Sequence, residues 1–92
     1  MSEGSGGREA ERLGLAEWLD VLGNRLPPGA VDQVGAAEYA ALLDLARIAA
    51  HRSERIAAPI STFVVGLVWA DLPRAERLAR LRELVTALDH ET

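Results

Sequence analysis

The sequence contains no cysteine. Disulfides, thiolate-ligated zinc and thiol catalysis are therefore excluded, and no oxidising compartment is needed to hold the fold. Lysine is absent too: all ten basic residues are arginine, against fourteen acidic ones, giving a net charge of −4. That balance argues against nucleic-acid binding, which needs a basic footprint. The missing lysine reads as codon bias in a GC-rich bacterial genome, with selection for bidentate anion recognition as the alternative. Aromatics make up only 4% of the chain. No apolar run approaches the roughly 20 residues that cross a bilayer, the longest being Phe63 to Ala70. The first residues, Met1 to Gly7, lack the basic start and apolar stretch of a signal peptide, so the expected location is the cytoplasm, away from membranes.

What is present points to helices. The hydrophobic fraction is 49%, mostly Ala and Leu, which are good helix formers. The 92 residues suffice for one domain. Residues 1–9, rich in Gly and Ser, read as a disordered tail, and residues 10–90 as a single helical domain. A first helix is expected over about 11–25, with Leu15, Trp18, Leu19, Leu22 and Leu26 on one face, stopped by Pro27-Pro28-Gly29. A second is expected over about 36–53, with Tyr39, Leu42, Leu43, Ala46, Ala49 and Ala50 facing inward and Ile48 beside the polar residues. A third starts near Pro59, a residue suited to a first helical turn, and runs to about Ala70. It carries no charge and no polar face beyond that turn. A helix apolar all round is buried all round, so it is expected at the centre, with Phe63, Val64, Leu67 and Val68 nearly inaccessible. Gly66 would let a neighbouring helix approach closely. The fourth helix, about 74–89, buries Leu78, Leu81, Leu84, Val85 and Leu88 and sets Glu76, Arg77, Arg80, Arg82 and Glu83 outside. The expected fold class is all-α: a compact bundle of about four short helices with a largely buried third helix.

Chemistry-bearing residues concentrate in one stretch. Arg47, His51 and Arg55 are spaced by four and stack along one helix face. The third helix begins just after them, and its first turn offers free N–H groups with the hydroxyls of Ser61 and Thr62. Converging, these groups would bind a phosphate or carboxylate, with Asp44 in support. The plainer reading pairs Arg47 with Asp44, leaves His51 and Arg55 on a solvated face, and has Ser61 or Thr62 cap its own helix. A metal site is not expected, because only His51 and His90 are available and paired Glu-x-x-His motifs are absent. No cofactor is expected, and no nucleophile system or phosphate loop has a local signature, so the chain does not read as an enzyme. Trp18 and Trp69 fall on apolar patterns and read as core, with Trp69 alternatively anchoring a partner.

The segment Leu42-Leu43-Asp44-Leu45-Ala46-Arg47, Ala50-His51, Arg55 and Ala58-Pro59-Ile60-Ser61-Thr62-Phe63-Val64-Val65-Gly66-Leu67, with Trp18-Leu19, resembles a small uncharacterised bacterial helical domain family. Members occur alone or as a C-terminal extension of molybdenum cofactor guanylyltransferases, which join a guanine nucleotide to molybdopterin. The chain has no nucleotidyltransferase domain, so the resemblance implies a non-enzymatic accessory role in cofactor biosynthesis, with an enzyme of that process as partner. Two other readings stand beside it: a small anion- or nucleotide-binding helical module, and a structural domain that forms a homodimer through a helix face.

Overall fold

The computed structural model describes residues 12–91. The expected tail at 1–9 lies outside them. Among the described residues the fold is all-helical, with four α-helices, one 3-10 turn and no strand. The chain divides after Gln33 into two units.

In the first unit, α1 spans Leu15–Gly23. It starts later than its periodicity predicts, because Glu17 reaches back and accepts a hydrogen bond from the Gly14 N–H at 2.9 Å, fixing the N-terminus there. The C-terminus tightens into i→i+3 bonds from Arg25 and Leu26. A turn then closes from the Ala30 N–H to the Pro27 carbonyl. Gly29 in that turn has φ +83°, which only glycine adopts without strain, and Pro28 before it supplies the fixed φ that such a turn favours. The 3-10 turn Val31–Gln33 follows.

The second unit holds α2 (Ala36–Arg52), α3 (Ala57–Val68) and α4 (Arg74–His90). α2 is the helix that packs on both of the others. Its buried stripe is Glu38, Ala41, Leu45 and Ile48, spaced 3, 4 and 3 along one face. This corrects the expected orientation: Ile48 is inside and Leu43 is exposed. A glutamate heads the stripe and disguises it in sequence. α4 does bury its leucine row. Leu81 is 1% exposed at the centre of the core, with Leu78, Leu84, Val85 and Leu88 around it.

α3 is not the central helix. It begins at Ala57, two residues ahead of Pro59, which leaves the proline in the first turn where its missing N–H is harmless. Val65 and Trp69 pack on the core, and Ala58, Ser61 and Thr62 on the same side are half-buried. Phe63, expected inside, is 67% exposed, and Val64, Leu67 and Val68 are also exposed. The inward side of α3 is thus small or hydroxylic, and the outward side is large and apolar. One side of a helix this short meets α2, and nothing in residues 34–91 wraps its other side.

These burials set an order of stability effects. Leu81→Ala should cost about 3–5 kcal/mol, the range for a buried leucine that leaves a cavity. Phe63→Ala should cost under about 1 kcal/mol, as surface positions do. Urea unfolding of the two variants, at a concentration where the chain sediments as a monomer, checks the order; a larger loss for Phe63→Ala there would restore α3 to the centre.

Candidate functional site

Charge chemistry inside the second unit is dominated by one pair absent from the sequence expectations. Glu38 is 4% exposed. Arg77 Nη2 donates to its Oε1 at 2.6 Å, and Arg77 Nε donates to its Oε2. This two-point geometry matches a guanidinium to a carboxylate. It corrects the placing of Arg77 on the outside of α4; the side chain is turned inward by its partner. The Arg77 hydrogen bond holds the Glu38 carboxyl below the usual carboxylate range. Burial opposes this, while the Arg77 charge, the Gly35 backbone N–H and the Arg74 charge reinforce it. Glu38 in turn raises the Arg77 guanidinium above its already high value. The sequence marks only the position of Glu38 at a helix start, where Gly35-Ala-Ala-Glu38 repeats the Gly14-Leu-Ala-Glu17 pattern, and nothing local points to Arg77.

The predicted anion stripe is distributed rather than gathered. Arg47 lies 3.8 Å from Asp44, and both are exposed. His51 and Arg55 are exposed. The Thr62 hydroxyl donates to the Pro59 carbonyl at 3.0 Å, within its own helix. Ser61 faces a groove of about 460 Å³ with Arg52 and Ser53 at its rim and Leu45, Ile48 and Leu88 beneath. Arg47, His51 and Arg55 do not line that groove. Arg52 also meets Glu91 at 3.4 Å. A second groove, about 390 Å³, runs between α2 and α4 past Asp44, Arg82 and Thr86. Among the described residues no group of three His, Asp or Glu side chains could hold a metal ion. Among the same residues no helix is long and apolar enough to cross a membrane.

Ile56, Ile60, Phe63, Val64, Leu67 and Val68 are exposed along one side of α3. No charged residue occurs from Ile56 to Ala70. In α1, Leu15, Trp18, Val21 and Leu22 are exposed as well, Trp18 by 50%. This corrects the reading of Trp18 as core, whereas Trp69 does pack against the core. Residues 10–92 match the family DUF6457, a domain of unknown function. The chain belongs to that family. No curated protein and no solved structure matches it.

The Glu38–Arg77 pair has a pH signature. A folded-state carboxyl held below its unfolded value of about 4.3 contributes stability that is present above that value and lost as pH falls through the folded one. Thermal stability should therefore fall steeply below about pH 4.3, and Glu38→Gln should flatten part of that fall. Glu38→Ala, which takes the carboxylate from a half-buried guanidinium, should cost about 1–3 kcal/mol, while Glu38→Met with Arg77→Met together should cost less. Chemical denaturation of the three variants checks this; a double variant as damaged as the single one would show that the pair's role is not electrostatic.

Proposed function

We propose that the chain is a non-enzymatic accessory domain that works by protein–protein contact and serves molybdenum cofactor biosynthesis in the bacterial cytoplasm. One observation supports contact as the activity: among the described residues, thirteen large apolar side chains are exposed, six of them along α3, against four hydrophobic residues that are buried. Contiguous apolar surface in a small domain marks an interaction site. The process is supported by the resemblance of the segment from Leu42 to Leu67. Its partner is a molybdenum cofactor guanylyltransferase, the enzyme to which domains of that kind are joined. Trp18 is the anchor on the enzyme side, a large indole half in solvent on a helix with polar flanks at Glu17 and Asp20.

A second reading, anion binding, is favoured by the groove that sets Ser61 and Ser53 beside Arg52. Inorganic phosphate or a guanine nucleotide at about a hundred times its dissociation constant would then stabilise the fold by roughly 2.7 kcal/mol. The effect would be absent from chloride at matched ionic strength. Its loss in Arg52→Ala would assign it to the groove, and its loss in Arg55→Ala to the Arg47, His51 and Arg55 stripe.

The accessory reading is checked by calorimetric titration of a molybdenum cofactor guanylyltransferase with the full chain. Binding is expected, weakened about 30-fold or more by Trp18→Ala, as for an interface hot spot. No binding, or equal binding by the variant, overturns it.

A further inference from the structure

We infer that the outer face of α3 pairs with the same face of a second copy of the chain, forming a two-fold dimer with the two α3 helices antiparallel. This rests on the reading that the domain works by protein contact, and it names the partner of that one face.

The chemistry of the face selects its occupant. Six large apolar side chains stand exposed along it, and the stretch from Ile56 to Ala70 carries no charge. A face without charge has nothing that repels its own image, which an isologous contact requires. Counting on the order of 100 Å² for each of the six side chains, the face would bury roughly 600–700 Å² per protomer, close to the ~800 Å² per partner of a standard interface. The core beneath is thin, with Ala41, Leu45, Ile48 and Leu81 its only buried hydrophobic residues among those described. Small domains with cores of this size gain stability by oligomerising.

The ends of the helix fix the direction. Arg55 stands exposed just before α3 and Asp71 just after it, with Phe63 midway between them, eight residues from each. Antiparallel pairing about Phe63 brings Arg55 of one copy towards the partner's Asp71, twice by symmetry. It also opposes the two helix dipoles, which parallel pairing would align.

Sedimentation equilibrium of the full chain tests this. A reversible dimer is expected at micromolar concentrations. Phe63→Asp and Leu67→Asp should give monomers with unchanged helical circular dichroism, because both positions are exposed within the chain. Arg55→Asp should weaken it severalfold at low salt, and Arg55→Asp with Asp71→Arg should restore it. A monomer at every concentration, a dimer indifferent to Phe63→Asp, or a charge reversal that fails to restore pairing overturns the inference. If the chain is a monomer that still binds the guanylyltransferase, the self-pairing fails and the accessory reading stands. If it is a dimer that binds no such enzyme, the self-pairing stands and that partner fails.

Discussion

The Glu38–Arg77 pair is the constraint on which the arrangement of residues 34–91 depends. Glu38 sits in the first turn of α2 and Arg77 in the first turn of α4, so the bond joins two helix N-termini. At the other end of the same helices, Arg52 meets Glu91. Both pairs span 39 residues of sequence. Equal offsets at both ends mean that α2 and α4 run side by side in the same direction, with α3 as the return stroke. Parallel helices set like dipole ends together, which is unfavourable. Glu38 and Arg52 each suit the end of the helix that carries them, and each brings its opposite charge across to the neighbour. The two bonds differ in weight. Arg52–Glu91 is solvated and contributes little. Glu38–Arg77 is largely enclosed, at Glu38 above all, and losing Arg77 takes the main partner from a carboxylate held away from water.

Fixing the register in this way determines which residues meet. With Glu38 opposite Arg77, Ala41 and Leu45 come against Leu81, and Leu84, Val85 and Leu88 close over the same seam. The small Ala41 is what lets α4 approach closely at Leu81. That seam is narrow, and α3 adds only Val65 and Trp69 to it. The remainder of the α3 contact is Ala58, Ser61 and Thr62, small groups that allow close approach while burying little apolar area. The apolar content of the sequence therefore exceeds what this core takes up, and the excess appears outside on α3.

How much of this was legible in the sequence follows from which signals compete. The breaks were legible, because Pro27, Pro28, Gly29, Pro59 and Pro73 act locally through φ and the missing N–H. The α4 stripe was legible, because Leu78, Leu81, Leu84, Val85 and Leu88 alternate with charge. The Asp44–Arg47 and Glu76–Arg80 pairs followed from helical spacing alone. The α2 face was not legible, because a buried glutamate looks like a surface residue until its arginine, 39 positions away, is known. The burial of α3 was misjudged for the converse reason. An apolar helix records that something covers it and does not say whether the cover belongs to the same chain. Of the candidate site, the sequence reading set Ser61 with Arg47, His51 and Arg55, whereas the groove that Ser61 lines has Arg52, since a groove between helices has no sequence period.

The division between a narrow core and a broad outer face also governs how stability and function are related. A domain held by a few leucines and one buried ion pair has little stability to spare, as single domains stand only about 5–15 kcal/mol below their unfolded chains. Covering the α3 face adds to that margin by mass action, in proportion to the logarithm of the covering partner's concentration. Replacing Phe63 or Leu67 with polar residues would make the isolated chain more soluble, yet it would remove the contribution that comes from being covered. If the α3 face pairs as inferred, the same side chains that are a liability in the free chain are its means of association. Arg77 and Glu38, by keeping α2 and α4 in register beneath, hold α3 so that its inner side stays against α2 and its large apolar side faces outward.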